Sequence, residues 1–358
     1  MKFRFYTVFL VLFLYECAAM MCGRCATDEK ISSKNFEYEG DAIKFSCIYK
    51  EGQPQFYAKR FNATNSHLYI QRIASKLNNG RGLSLFFLGI ANTITIDGIF
   101  FKYAKEWFSK TDKNICIITY AYSSTSTTLF NILFHVNQMV STKRLDFVAK
   151  QAQDLVLETK KKCEDSRRTS CLRHMSQVEV VGFSFGAHIA GLTCGLLFEK
   201  TGEKVKILLA LDPAGTSFFW NKPGHMIKSG DADYVQVIHT SAFGLDQPVG
   251  DVDIYVDSTS NKILLGAWAE KHALSVYLHI ATSTKRLFII AEVRGNGILL
   301  ISERQPRELK PQECQIGIYG TLQAHHKGKQ FNISIVDRED TTVFWDALGE
   351  LGGKEMLV

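Results

Sequence analysis

Residues 178–191 have the sequence VEVVGFSFGAHIAG, and this stretch decides the fold. The apolar run before Gly182 is typical of a buried strand, and the residues after Ser184 favour a helix. Between strand and helix, the pattern Gly-x-Ser-x-Gly predicts a tight turn that exposes the serine hydroxyl. Gly182 and Gly186 allow the backbone to pass where a Cβ would collide. Ser184 is therefore the candidate nucleophile, and a serine in a simple packing turn is the alternative.

Short apolar runs alternate with helical patterns along most of the chain. The strand-like runs cover residues 42–47, 83–88, 115–120, 178–181, 205–211, 234–239 and 331–336, and the helical patterns cover 97–109, 129–160, a stretch from about 185, and 273–283. This alternation indicates βαβ units. We therefore predict an α/β-hydrolase fold, with a mostly parallel central sheet and helices on both faces. The charged run 160–168 is expected to be a solvated loop.

A nucleophilic serine needs a base, and the base needs a group that orients it. In this fold the chain order is serine, then aspartate or glutamate, then histidine. Asp212 follows the apolar run 205–211, which places it at the edge of the sheet where such sites assemble. The alternative is a turn aspartate that precedes Pro213. The other candidate orienting carboxylates are Asp251, Asp253 and Asp257.

His272 is the candidate base because we expect it in a polar, solvent-reachable loop just before the helix 273–283. His239 ends an apolar strand and is expected to be a hydrogen-bonded core residue. His279 lies seven residues further along the helix and should point away from the catalytic edge. His188 cannot face the same way as Ser184 and is interpreted as structural.

Four motifs are informative as a set. They are GFSFGAHIAG at 182–191, LDPAGTSF at 211–218, DADYVQVIHTS at 231–241 and KHALSVY at 271–277. In order and spacing they resemble the pancreatic-lipase family of animal secreted lipases, and within it the arthropod phospholipase A1-like members. The likeness covers roughly residues 80–345. It implies an α/β-hydrolase with Ser184 as nucleophile, Asp212 as orienting acid and His272 as base. The second, β-sandwich domain of that family is not expected here.

The chain departs from the family pattern around the expected oxyanion hole. Leu88-Gly89-Ile90 stands where the family has His-Gly-Phe, and the resemblance implies that the residue after the glycine donates one backbone amide. We therefore predict the N–H groups of Ile90 and Phe185 as the two donors. Phe183 and Phe185 flank the serine where the family favours His and Leu. Several cysteines that the resemblance implies between residues 220 and 270 are also absent.

The N-terminus predicts secretion. Lys2 and Arg4 precede the apolar run 5–15, and small residues end the segment at Ala19. This is the pattern of a signal peptide over residues 1–19. Its apolar run, 5–15, is too short to span a bilayer comfortably. An uncleaved anchor is the alternative. We expect residues 20–358 to form one secreted α/β-hydrolase domain. Sequons at Asn62 and Asn332 are candidate N-glycosylation sites on that route.

Eight cysteines follow the predicted signal peptide, an even number that suits an oxidising compartment. Cys163 and Cys171 are the nearest candidate pair, and Cys194 is a candidate free thiol of the core. Cys22 and Cys25 form only half of a metal motif, and hydrolysis through a serine nucleophile requires no cofactor. We therefore expect no metal and no organic cofactor. The net charge of +6 is too small to argue for nucleic acid. No obligate protein partner is indicated.

The expected activity is hydrolysis of a phospholipid or acylglycerol ester at a membrane or lipid surface. The alternatives are a catalytically weak or inactive lipid-binding protein, a triacylglycerol lipase, and an esterase for small soluble substrates. Residues 261–271 are the candidate lid, short and apolar over 263–268. A short lid favours phospholipid cleaved at the first acyl position over triacylglycerol. Trp268 is expected either at the lipid interface or in the core.

Overall fold

Strands β4 (Val178–Phe183) and β5 (Ile207–Leu211) are buried along their whole length in the computed structural model. The structure describes residues 43–50, 66–90, 98–120, 136–166, 170–215, 223–258, 265–301, 307–336 and 338–352, without the side chains of 66, 265–268 and 338. All of them belong to one compact unit, residues 36–358. The predicted signal peptide lies outside the described residues, and the domain boundaries stay a prediction.

One sheet contains all the strands of the described residues. The other strands are β1 (Lys44–Ile48), β2 (Gly82–Phe87), β3 (Lys113–Thr119), β6 (Val235–His239), β7 (Val252–Ser258), β8 (Phe288–Glu292), β9 (Ile298–Leu300), β10 (Glu313–Gln315) and β11 (Lys329–Ile335). The order is β1-β3-β2-β4-β5-β6-β7-β11-β8-β10, and β9 pairs with β8. Neighbours from β3 to β11 are parallel, whereas β1, β8, β9 and β10 pair antiparallel at the two ends. The predicted mostly parallel sheet is confirmed.

Helices cover both faces of this sheet. The α-helices with both ends among the described residues are α1 (Ser66–Leu77), α2 (Ile99–Lys110), α3 (Arg144–Asp165), α4 (Gly186–Thr201), α5 (Leu265–Ser283) and α6 (Arg338–Leu348). Alternate strand residues point to opposite faces, so Leu85 of β2 joins the core beneath α1, α3 and α4. Its neighbour Phe86 joins the core beneath α2, α5 and α6. This three-layer arrangement confirms the α/β-hydrolase fold.

Helix α3 corrects two predictions. The charged run 160–168 was expected to be a loop, but α3 continues to Asp165. Lys160 pairs with Glu164 on the helix surface, one turn apart, and Cys163 between them is buried, so the run forms an amphipathic helix end. The helix predicted over 129–160 is also interrupted, because a turn at 142–143 precedes α3. Residues 129–135 lie outside the described residues.

Two disulfides are present among the described cysteines. Cys163–Cys171 confirms the predicted local pair. The second disulfide joins Cys47 and Cys116, which are direct partners in the antiparallel β1–β3 register, and the sequence did not predict it. Cys194 is a buried free thiol, as expected, and Cys314 is another. Cys22 and Cys25 lie outside the described residues.

Candidate active site

Ser184 occupies the turn between β4 and α4, with its backbone in the left-handed region at φ +55°. Its amide donates to Leu211 O at 2.9 Å, which ties the turn to the end of β5. A Cβ on Gly182 would lie 2.5 Å from Gly186 O, and a Cβ on Gly186 would lie 2.6 Å from Phe87 O. Both glycines are therefore sterically required, as the motif predicted.

Asp212 directly follows β5 and also has positive φ, at +44°. Its amide donates to Ile238 O at 2.7 Å, so the residue is anchored to the adjacent strand β6. The carboxylate is fully buried. Its Oδ1 accepts the amides of Thr240 at 2.8 Å and Ser241 at 3.2 Å. These hydrogen bonds replace the water that a buried carboxylate loses.

His272 Nδ1 lies 2.6 Å from Asp212 Oδ2, across 60 residues of chain. The imidazole packs between two phenyl rings, with centroids 4.7 Å from Phe183 and 5.8 Å from Phe243. The prediction that His272 lies in a polar loop before the helix is wrong, because α5 begins at Leu265 and includes His272. The stretch from residue 265 contains no proline, and Ala267 and Ala269 favour a helix there.

The contact between nucleophile and base stays a prediction. Within the described residues, no hydrogen bond joins Ser184 Oγ to His272. The imidazole nevertheless packs on Phe183, the residue immediately before Ser184. The structure thus brings Asp212 and His272 into contact and places them beside the serine turn.

The predicted oxyanion loop follows β2. Leu88 N–H donates to Ile118 O at 3.1 Å, and the backbone of residues 87–88 packs against Gly186 at the start of α4. This packing places the loop leading to Ile90 beside the serine turn. Ile90 is the last described residue before the undescribed stretch 91–97. The convergence of the Ile90 and Phe185 amides stays a prediction.

The other histidines have structural contacts. His188 Nε2 lies 2.9 Å from Ala214 O, so the ring links α4 to the segment after Asp212. Burial lowers the pKa of His188 to about 4, which keeps the ring neutral near pH 7. His279 is fully buried and makes edge contacts with the rings of Phe86, Tyr103 and Trp107. Both therefore lie where the sequence placed them, outside the proton-transfer position.

The alternative orienting carboxylates have other partners. Asp253 Oδ1 lies 2.9 Å from Nε2 of His239, whose Nδ1 lies 2.7 Å from Leu245 O. His239 is thus the buried, hydrogen-bonded residue that was predicted. Asp251 accepts from Val235 N–H at 2.9 Å and from the Ser229 hydroxyl. Asp257 lies on β7 with its side chain exposed.

Sequence reasoning missed Ser241. Its hydroxyl donates to Asp212 Oδ2 and lies 3.4 Å from His272 Nδ1, so it contacts both proposed partners. It is the last residue of the motif DADYVQVIHTS, and it lies two residues after β6, beside the end of β5. A serine at a strand end has many possible partners, so that position alone did not identify it.

Several predictions concern the periphery of the site. Residues 265–271 of the candidate lid are the first turns of α5, and residues 261–264 lie outside the described residues, as does the side chain of Trp268. Asn332 has an exposed side chain on β11, and Asn62 is outside the described residues.

Across the described ranges, no cluster of three or more His, Cys, Asp or Glu is arranged to bind a metal ion. None of the described helices is long and apolar enough to cross a membrane.

A family model and several known proteins match part of this chain. A sequence model of the Lipase family matches residues 169–266, which include Ser184 and Asp212. Phospholipase A1 of Vespula squamosa is 38% identical over 89 residues, covering 25% of this chain and 30% of that protein. Phospholipase A1 2 of Polistes dominula is 43% identical over 84 residues, covering 23% of this chain and 27% of that protein. The predicted resemblance is confirmed, and the matches span under a third of either relative's length.

Among solved structures, a hyperthermophilic esterase from the archaeon Pyrobaculum calidifontis matches 98% of this chain and 95% of its own. It is 10% identical, with a TM-score of 0.32. An α/β-hydrolase enzyme from a Medee basin deep-sea metagenome covers 57% of this chain and 73% of its own, at 12% identity and a TM-score of 0.27. The fold of this chain is defined by its own sheet order and strand-to-helix turn.

Proposed function

We propose that this chain is a serine carboxylic ester hydrolase that acts on lipid esters. Ser184 is the nucleophile, His272 the general base and Asp212 the acid that orients it. The observation that carries the proposal is the 2.6 Å hydrogen bond between His272 and Asp212, beside a serine with positive φ. The Lipase family model matched over residues 169–266 and the phospholipase A1 relatives support the same chemistry.

The first half of the reaction forms an acyl-enzyme. Ser184 Oγ attacks the ester carbonyl carbon while its proton passes to His272 Nε2. The carboxylate of Asp212 stabilises the imidazolium that results. The amides of Ile90 and Phe185 donate to the oxyanion of the tetrahedral intermediate. His272 then gives the proton to the alcohol oxygen of the glycerol backbone, and the C–O bond breaks.

The second half returns the enzyme to its starting state. Water attacks the acyl carbon and loses a proton to His272, and the proton then passes to Ser184 Oγ as the fatty acid leaves. This chemistry balances without a metal or organic cofactor. It takes place at the carboxyl ends of the parallel strands, and we propose that the substrate reaches it from a lipid surface outside the cell.

We propose phospholipid as the substrate, cleaved at the first acyl position. The support is the name of the matched relatives, phospholipase A1, together with the short connection of residues 259–264 between β7 and α5. So short a connection is compatible with a substrate that carries a polar head group. Secretion through the N-terminal segment belongs to the same proposal.

The test compares hydrolysis of phosphatidylcholine, phosphatidylserine and a long-chain triacylglycerol by the purified protein. We expect both phospholipids to be cleaved faster than the triacylglycerol, and Ser184→Ala to abolish turnover. Ser109→Ala is the matched control, because the Ser109 hydroxyl bonds only the exposed carbonyl of Glu106 on α2. Faster turnover of the triacylglycerol would contradict the phospholipase proposal. No turnover by folded protein would favour a lipid-binding protein.

A further inference from the structure

We propose that Ser241 is a positioning residue of the reaction, which acts through the carboxylate of Asp212. This inference rests on the proposed function and extends the site from three side chains to four. Ser241 lies two residues after the end of β6, next to the strand that carries Asp212. No other side-chain hydroxyl among the described residues donates to that carboxylate.

Each oxygen of the carboxylate has a distinct set of donors. Oδ1 accepts two backbone amides, from Thr240 and Ser241. Oδ2 accepts His272 Nδ1–H at 2.6 Å and the Ser241 hydroxyl. Ser241 therefore binds the carboxylate twice, through its amide on one oxygen and its hydroxyl on the other. This double contact fixes the rotation of the carboxylate about its Cβ–Cγ bond.

The direction of the hydroxyl proton is also determined. Phe243 N–H donates to Ser241 Oγ at 3.1 Å, so the oxygen acts as an acceptor on that side. Its own proton is then directed to Asp212 Oδ2. His272 Nδ1 is 3.4 Å from Ser241 Oγ but 2.6 Å from Oδ2. The imidazole Nδ1–H therefore donates to the carboxylate and not to the Ser241 hydroxyl, which holds Oδ2 in place.

The consequence for catalysis follows from the charge that develops on His272. When Ser184 Oγ–H breaks and Nε2–H forms, the imidazole becomes a cation, and the ionised carboxylate must face it. The Ser241 proton stays on its oxygen throughout. Without this hydroxyl, one donor to the anion is lost and the carboxylate can rotate away from Nδ1. Since a hydrogen bond to a charged group is among the stronger ones, we expect kcat to fall about 10- to 100-fold.

A purely structural role for Ser241 predicts a different result. The protein offers a matched control, because the Ser229 hydroxyl donates to another buried carboxylate, Asp251, which lies outside the site. Ser229→Ala removes the same kind of bond. If Ser241 only stabilised the fold, Ser241→Ala and Ser229→Ala would lower the melting temperature similarly and neither would change kcat.

The experiment measures kcat and KM of the purified protein on a soluble fluorogenic ester. We expect Ser241→Ala to lower kcat with little change in KM. Ser229→Ala should leave both constants near their wild-type values. Ser241→Thr, which keeps the hydroxyl, should have most of the wild-type kcat. The same Ser241→Ala change in an Asp212→Asn background should have little further effect, because its target anion is gone. A wild-type kcat for Ser241→Ala, or an equal loss in both backgrounds, would overturn the inference. Failure of the proposed function is distinguishable, since Ser184→Ala and Asp212→Asn would then also leave turnover unchanged.

Discussion

At the scale of single residues, the site is built on backbone strain. Four described residues other than glycine have positive φ, and Ser184 and Asp212 are two of them. Such a conformation costs about 1–3 kcal/mol at a non-glycine residue, and it persists only where the surroundings enforce it. Here the Ser184 amide is bound by Leu211 O and the Asp212 amide by Ile238 O. The neighbouring strands thus impose the geometry of both residues.

Gly186→Ala tests how closely the backbone must approach at the serine turn. The added Cβ would lie 2.6 Å from Phe87 O and Leu88 O, which are main-chain atoms that cannot easily move. We expect a loss of about 1–3 kcal/mol in the free energy of unfolding, measured by urea denaturation, and loss of ester hydrolysis. Gly195→Ala in the same helix is the control, since nothing lies within 4 Å of its Cβ. The control change should raise the free energy of unfolding by about 0.5–1 kcal/mol. Equal effects from the two changes would contradict the steric argument.

The residues of the site differ in how far sequence could identify them. The position of Ser184 was predictable because a Gly-x-Ser-x-Gly pattern between a strand and a helix is typical of a tight turn that exposes the serine hydroxyl. Asp212 was predictable because it ends the next parallel strand. Ser241 was not, since its role depends on a hydroxyl reaching across to another strand. That distance is set by the register of β6 against β5, which the spacing of motifs does not reveal.

At the scale of elements, helix α5 carries the proposed base and also fixes its position. His272 meets Asp212 near the start of the helix, and His279 is seven residues, or about two turns, further along. His279 is enclosed by Phe86 of β2 and by Tyr103 and Trp107 of α2. Tyr103 OH also lies 2.9 Å from the Ser283 hydroxyl at the end of α5. These contacts set how α5 lies on the sheet, and so where His272 points.

His279→Leu tests this packing through the pH dependence of stability. Burial lowers the pKa of His279 to about 3, and neither ring nitrogen has a hydrogen-bond partner among the described residues. In the unfolded chain the pKa of this histidine is near 6.5. Between about pH 6.5 and 3 the ring is therefore protonated in the unfolded chain but neutral in the folded one, so lowering the pH in this range favours unfolding. Between pH 7 and pH 5 the free energy of unfolding, measured by urea denaturation, should fall by about 2 kcal/mol more in the wild-type protein than in the Leu variant. Parallel pH curves for the two proteins would show that His279 is accessible to protons.

The boundaries of elements were harder to predict than their existence. The start of α5 was placed at residue 273 because charged residues precede it, yet the helix begins at Leu265. Charged residues on the outer face of a helix look the same in sequence as a polar loop. Likewise, the Cys47–Cys116 bridge depends on an edge strand pairing with β3 across 69 positions. That pairing is a property of the folded sheet.

At the scale of the whole molecule, topology assembles the site. Strands β4, β5 and β6 are parallel neighbours, so their carboxyl ends share one edge of the sheet. Ser184, Asp212 and Ser241 follow these three strands in turn, and α5 returns His272 to the same edge after β7. Residues far apart in the chain therefore meet without any local motif joining them. This is why the order of motifs, more than their individual form, indicated the site.

The central claim is that Ser184 is a nucleophile activated by His272 and Asp212. The most direct measurement treats the purified protein with a fluorophosphonate and locates the adduct by mass spectrometry of peptides. We expect one adduct per chain, on Ser184, with slower labelling in His272→Ala and none in Ser184→Ala. Folded protein that stays unlabelled, or an adduct on a different serine, would contradict the claim.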